Sequence, residues 1–538
     1  MNNNIRNKKS LCYFPCNSAW QFIARHVGTR FTVCPLGIAS AERSLIAICT
    51  LTYFLVATIY VAIGSWPSGD EPHYLLISET LIKYHSLDVL KAYQHRDYLS
   101  FYPDQLGPQV VSVQGRVLPL HDVGGPILWL IPFFLLGRLG AVWFMAAISI
   151  FIVLNIYKLL LAMEIRQHIA FDVSLALALA SPLCIYAHLD FVEPIAALAC
   201  VYVLRKFIES DVCLSALLLS SMLLGLLPWV HVRFALIEVP LFFMLLWRLY
   251  QQYRLHNILY YVAYVLPIAL LTLGLEAFSW LFMGSFDPTV NQIAGHNVIF
   301  QVWPFTALFG LLFDQDHGLL ICFPLCALLV AGVILSAKKR YLIYNLSMLV
   351  ISIPYVIAFA TFHVWYGGWT PPARYVLVLL PAWSFYLAFV LQQVNGRFVE
   401  RFARITFWWG VTYNFLSLLP GYFGFNDEIG RNHVLAFLHI GSFYLTDLWP
   451  SVRYPIFIRN AIWIVAYLLL IFFLLLRAKS NRDKQGEPTE FDYPPSQGSE
   501  IESASIFSTS ARLPTSAHIA KQHRLLWRKE GRALHRRI

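Results

Sequence analysis

Charge is what this sequence has least of. Of its 538 residues, 13% are Asp, Glu, Lys or Arg, against about 25% in a soluble globular domain. A chain this long with so few charges cannot cover a water-facing surface, so a soluble globular enzyme is excluded. The mean hydropathy of +0.59 says the same. Nine cysteines are present, but none lies in the long polar loops, which excludes a disulfide framework. Cys12-x-x-x-Cys16 lacks the second pair that a zinc knuckle needs. The apolar runs lack strand-like alternation, which argues against a transmembrane barrel. What is there instead is apolar surface: 58% hydrophobic and 16% aromatic residues.

These residues fall into about twelve runs long enough to read as membrane-spanning helices. The runs lie near 45–63, 139–162, 170–187, 194–208, 213–229, 234–249, 258–281, 318–336, 341–360, 375–391, 405–420 and 456–476. The fold class expected is an all-α polytopic membrane protein. Residues 1–44 read as a basic cytosolic segment, 45–476 as the transmembrane domain and 477–538 as a disordered cytosolic tail with a basic end. That end suits solvent or anionic lipid.

Letting the chain alternate sides sorts the charges. The short loops assigned to the cytosol hold 11 Lys/Arg in 42 residues, and the outer segments hold 9 in 171 with 15 Asp/Glu. The positive-inside rule supports this register, with both termini cytosolic and the functional face outside. The same count places 126–137 in the first outer loop. That apolar stretch is too short to span, and a crossing there would invert every later loop. The net charge of +10 thus marks cytosolic loops, and its dispersal over separate loops gives no support to a nucleic-acid partner.

The few ionisable groups left on the outer side are the candidates. The first outer loop, 64–138, opens with Gly69-Asp70-Glu71-Pro72-His73. This reads as a helix start, and carboxylates there stay ionised. Asp70 and Glu71 then serve as a plain cap, as a general base or as ligands of a divalent cation. The second outer loop is short and holds His188, Asp190 and Glu193 between two spans, as functional acids or as interfacial anchors. Arg233 follows the fifth run, and an Arg233–Glu238 pair is conceivable at a spacing not ideal for a helix. Arg374 lies among aromatics and glycines at 363–375. Aromatic belts explain Trp369 and its neighbours, but a lone outer Arg opposes the positive-inside bias and suits a lipid phosphate or headgroup. His73, His121, Asp314, His363 and Trp369 complete the set.

Several of these strings resemble the GT-C glycosyltransferases, among them the protein O-mannosyltransferases and the bacterial lipid A aminoarabinose transferases. Asp70-Glu71 resembles the Asp-Glu motif opening their first outer loop. His121-Asp122-Val123-Gly124-Gly125-Pro126-Ile127-Leu128 resembles the segment that ends that loop on a juxtamembrane helix. His188 to Glu193 resembles their second outer loop, with Glu193 or Asp190 in place of a clear Asp. Arg374-Tyr375-Val376-Leu377 to Pro381 resembles their late Arg-Tyr-Leu-x-Pro motif. The strings as a group resemble a bacterial branch of that superfamily, over roughly 45–476.

The resemblance implies a GT-C-like fold whose long first outer loop carries juxtamembrane helices. It implies a multi-pass inner-membrane glycosyltransferase that moves a sugar from a polyprenyl-phosphate donor to an envelope glycan, lipid or protein. Asp70 would be the base, with Glu71 second, and Arg374 would meet the donor phosphate with Arg233 assisting. Asp70, Glu71 and Glu193 would hold a divalent cation (Mg, Mn, Ca or Zn) if one is used, and membrane lipids would surround the whole. A transporter or flippase of a lipid-linked sugar, or another envelope polymer enzyme, would share the Arg and the apolar groove. Transporters usually carry internal repeats with paired broken helices, and no such repeat is evident in the sequence.

Overall fold

The computed structural model describes residues 38–485, apart from 210–211, 255, 291, 293–302, 395, 420–429 and 454. Cys12 and Cys16, most of the basic N-terminal segment and the tail beyond 485 lie outside the described residues.

Every apolar run of the sequence is helical or built of helical pieces, but the runs are not alike. Among the described residues, six are long and apolar enough to cross a membrane: Ile38–Ala62, Arg138–Ala162, Ile258–Met283, Lys339–Ala360, Tyr375–Gln393 and Phe457–Asn481. The twelve runs thus divide into six such helices and six that are shorter, charged or broken. Glu193–Ile208 and Leu214–Val230 have 16 and 17 residues. Ala235–Tyr253 contains Glu238 and Arg248, and Arg397–Ser417 begins with Arg397, Glu400, Arg401 and Arg404. The last helix continues to Gln485, nine residues into the stretch expected to be tail.

The two broken runs have local causes. In 170–187 the helix Gln167–Leu179 stops and Pro182–Tyr186 restarts, with the Ser181 hydroxyl accepting the Leu183 N–H. The Asn414 amide donates to the freed carbonyls of Leu179 and Ser181, at 3.1 and 2.8 Å. Gly410 makes this approach possible, because a Cβ there would sit 2.2 Å from the Ala180 carbonyl oxygen. Irregular backbone at such depth is tolerated where protein satisfies it. In 318–336, Pro324 divides Leu319–Cys322 from a 3₁₀ turn and the helix Leu329–Ser336.

Burial sorts the helices by position. Tyr375–Gln393 is 89% buried over its most apolar window and forms the centre, whereas Ile258–Met283 is 11% buried and turns Leu266, Leu270 and Leu273 outward. That peripheral helix is held to Leu214–Val230 by close packing at Gly225, by Ser221 Oγ donating to the Tyr264 carbonyl at 2.6 Å, and by Trp229 Nε1 donating to the Leu271 carbonyl at 2.9 Å.

The 64–137 segment is structured. Helix Glu71–Tyr84 is followed by a hairpin, Val110–Val113 paired antiparallel with Arg116–Pro119, and by the short helices Gly124–Leu128 and Leu130–Leu136. The hairpin turns through Gln114 and Gly115, both at positive φ, the twist a two-residue turn requires. Stretch 126–137 does not span. Its short helix exposes Ile131, Phe134 and Leu135 and folds back onto the start of Arg138–Ala162, where a Cβ on Gly140 would collide with the Pro132 carbonyl. The expected juxtamembrane piece is thus a pair of short helices with an uncovered apolar face.

Candidate active site

Asp70 occupies the N-cap position of helix Glu71–Tyr84, but its side chain makes no capping bond. It is ion-paired instead with Arg374, a residue 304 positions away. Arg374 is buried, and each of its nitrogens has a partner. Nε donates to Glu193 Oε1 at 2.6 Å, Nη1 to the Gly367 carbonyl at 3.1 Å and Nη2 to Asp70 Oδ2. Glu193 begins the helix Glu193–Ile208, and its Oε1 also receives Arg233 Nη2 at 2.5 Å. Four segments distant in sequence therefore close one chain of alternating charge, Asp70–Arg374–Glu193–Arg233. An Arg233–Glu238 pair is not formed among these contacts; Arg233 faces Glu193.

Aromatic rings hold the two guanidinium groups in place. Arg374 lies over Phe191 at 4.7 Å, and the Tyr375 ring sits 5.6 Å from Arg374 and 5.1 Å from Arg233. The backbone carrying Arg374 is fixed from three sides. Ala373, at φ 63°, donates its N–H to the His317 carbonyl at 2.9 Å. Tyr186 donates its hydroxyl to the Pro371 carbonyl at 2.9 Å. The Trp369 carbonyl presses on Gly69, where a Cβ would come within 2.6 Å, so glycine lets the 69–70 and 367–374 segments meet.

The charges in this chain balance, and Asp70 is its open end. The Asp70 side chain is 25% exposed, against 4% for Arg374 and none for Glu193. Burial alone would push the Asp70 carboxyl up. The Arg374 guanidinium, with help from Arg233, reverses this and holds it well below the usual carboxylate range. Glu193 Oε2 is buried and without a hydrogen-bond partner, and so is Arg233 Nε.

Glu71 faces the other way. Its Oε2 accepts the Ser68 N–H at 2.7 Å and its Oε1 accepts the Asp190 N–H at 2.8 Å. The Asp190 carboxylate meets Arg138 at 3.5 Å, and beyond that contact neither of its oxygens has a hydrogen-bond partner. Arg138 also donates to the Ser65 carbonyl and packs on Tyr60. This second cluster holds two buried acids and one base. Burial raises both carboxyls, and Arg138 opposes the rise.

The histidines near Asp70 are neutral. His73 Nδ1 bonds the Tyr93 hydroxyl at 2.7 Å, and burial drives its pKa down to about 3. The His121 ring stacks on His73 and bonds Gln109, and burial lowers it as well. His231, 3.5 Å from Asp122, is lowered by burial and by the two arginines.

Of the residues expected at a site, Asp70, Glu193, Arg374 and Arg233 converge, with His73 and His121 beside them. Glu71 and Asp190 form the adjoining cluster, not the same one. The cation set of Asp70, Glu71 and Glu193 is not brought together, because Glu71 turns to backbone N–H groups while the other two meet at Arg374. Among the described residues no group of three or more His, Cys, Asp or Glu side chains suits a metal ion. Asp314 is structural. Its Oδ1 accepts the N–H groups of Asp316 and His317, and its Oδ2 accepts that of Val452, which fixes the turn supporting Ala373. His363 is exposed against Phe362, and the Trp369 ring is 53% exposed, so only the backbone of Trp369 reaches the site. Arg138 escaped notice, although it is an Arg on the expected outer side at the start of an apolar run, the feature that singled out Arg374.

No protein-family model matches the sequence, and no curated protein matches it. Among solved structures the chain is similar to ArnT from Cupriavidus metallidurans. The crystal structure of ArnT bound to undecaprenyl phosphate has 14% identity and a TM-score of 0.43, covering 82% of this chain and 77% of that one. The apo crystal structure has 14% identity and a TM-score of 0.41, covering 82% and 78%.

Proposed function

We propose that this chain is a membrane glycosyltransferase that moves a sugar from a polyprenyl-phosphate donor to an acceptor hydroxyl at the outer face of the membrane. The observation that supports it is the convergence of Asp70, Arg374, Glu193 and Arg233, drawn from four segments, into one cluster whose two ends, Asp70 and Arg233, are partly exposed. Ionisable groups gathered at the rim of a helical bundle suit a charged reaction beside lipid.

Each residue has a task in that reaction. Asp70 takes the proton of the acceptor hydroxyl as the oxygen attacks the anomeric carbon. The bond from that carbon to the donor phosphate breaks, and polyprenyl phosphate leaves with the electron pair. Arginine stabilises the charge that develops on the leaving phosphate. Arg374 has every nitrogen engaged, whereas Arg233 Nε has no partner. This ranks Arg233 first as the contact of an arriving phosphate and Arg374 second. A carboxylate held far down by a guanidinium is a weak base. A phosphate that competes for Arg374 loosens its hold on Asp70 and makes Asp70 more basic when the acceptor is present.

The test uses the purified full chain in nanodiscs with polyprenyl-phosphate sugars and a panel of acceptors. Transfer shows as acceptor-dependent loss of donor. Movement of intact donor across a sealed bilayer without loss of sugar would support transport instead and overturn the transferase reading.

A further inference from the structure

The Arg138 cluster takes no direct part in the chemistry above, yet it is buried next to it. Arg138 begins the helix Arg138–Ala162, and its side chain is 8% exposed. Glu71 adjoins Asp70 in the chain, and Asp190 lies three residues before Glu193. The Glu71 carboxylate joins these two segments directly, through the N–H groups of Ser68 and Asp190. Arg138 adds a third point, the Ser65 carbonyl just after the first helix. We infer that Arg138 is a positioning residue of the transfer site: as the one cation between Glu71 and Asp190 it sets the spacing between the segments that carry Asp70 and Glu193. This rests on the reading of Asp70 and Glu193 as parts of one reaction site.

The charge count gives the role its content. Two buried carboxyls share one guanidinium, so the cluster carries an excess acid. Glu71 has two backbone N–H donors and the Ser68 hydroxyl at 3.3 Å, which stabilise its anion. Asp190 has only the Arg138 contact at 3.5 Å. Asp190 is thus the less stabilised anion of the pair, and burial raises both carboxyls. The groups facing Asp190 are Arg138 from its helix, Glu71 from helix Glu71–Tyr84, and Tyr60 from helix Ile38–Ala62. Without Arg138, two buried acids face each other with no cation. They must separate or take up a proton, and either outcome shifts the 70–71 and 190–193 segments.

The role is tested with Arg138→Met, Arg138→Lys, Asp190→Asn and the double variant Arg138→Met/Asp190→Asn, in the full chain in nanodiscs. Turnover of a polyprenyl-phosphate sugar should fall about tenfold or more in Arg138→Met, because small misplacements of reacting groups are costly. Donor KM should move less than about threefold, because Arg138 does not touch the donor. Arg138→Lys should recover part of the loss. Removing the second acid charge with Asp190→Asn should recover most of it, as expected for coupled neighbours. An Arg138 that merely fills space would gain nothing from Asp190→Asn, so absence of rescue, or full activity in Arg138→Met, overturns the proposal. Hydrogen exchange supplies a reading without substrate. Peptides covering 66–72 and 188–193 should exchange faster in Arg138→Met and return toward wild type in the double variant. If wild type transfers no sugar but the exchange pattern holds, the transferase reading fails and the positioning role stands. Unchanged exchange in Arg138→Met sinks the positioning role alone.

Discussion

The two charge clusters on either side of the Asp70–Glu71 peptide are built from the same residue types and behave differently. The first has two acids and two arginines, close contacts and an exposed end at Asp70. The second has two acids and one arginine, a loose contact at 3.5 Å and no exposed acid. A balanced, open cluster can exchange one of its partners for an incoming anion. A closed cluster with an acid in excess holds position. The difference teaches that charge stoichiometry and access, not the mere presence of Asp, Glu and Arg, separate a reacting site from its support.

The comparison can be broken most forcefully at Arg374. Arg374→Ala leaves Asp70 and Glu193 buried without their shared cation, at a cost of about 3–5 kcal/mol in stability. Thermal unfolding should show that loss, and transfer should vanish. Arg374→Lys should not restore the three-way geometry, because an ammonium lacks the planar fork. Asp70→Asn comes next. Transfer should drop by about 10²–10⁴, the range for loss of a general base, while size-exclusion profiles stay those of folded protein. Wild-type activity in this variant would remove Asp70 from the reaction. Arg233→Ala should raise donor KM about tenfold with a smaller effect on unfolding, since a single charge-assisted contact to an anion is lost.

Acidity separates the clusters by sign. The Asp70 carboxyl is depressed, so the stability it lends is complete above the ordinary carboxylate pKa. That stability is lost only as pH falls well below that value. The Asp190 carboxyl is raised, so its contribution is present in acid and fades as pH rises above the ordinary carboxylate range. Unfolding temperatures followed against pH should therefore lose their decline between the ordinary carboxylate range and about pH 8 in Asp190→Asn and keep their acid limb. Persistence of the decline would assign it to another group. The smallest effects belong outside both clusters: His363→Ala and Trp369→Ala should change transfer by less than about twofold, as exposed side chains away from special features do.

Much of this was legible in the sequence, for identifiable reasons. Hydropathy marked the long helical runs, because lipid demands apolar length, and missed the short apolar helix Pro304–Phe313, which fell in the expected outer segment 282–317. The positive-inside count picked Arg374 as an anomaly, and it proved to be the hub of the first cluster. What remained hidden depended on direction. Asp70 and Glu71 read alike as neighbours at a helix start, yet their side chains diverge toward Arg374 and toward Ser68 and Asp190. Nothing in spacing told which would do which. Asp314 stood among the candidates, but backbone N–H groups occupy both its oxygens. The break at Ala180–Ser181 was invisible because its compensation comes from Asn414, more than two hundred residues later.

Two clusters joined by the single peptide between Asp70 and Glu71 cannot evolve independently. A sequence that exchanged the pair for Glu-Asp would keep composition, charge and helix start, yet it would lengthen one arm and shorten the other. Both clusters would then need to re-space at once, through changes in four distant segments. The order of two adjacent acids is in this sense a ruler shared by the whole extramembrane face, and a drift at either end must be answered at the other.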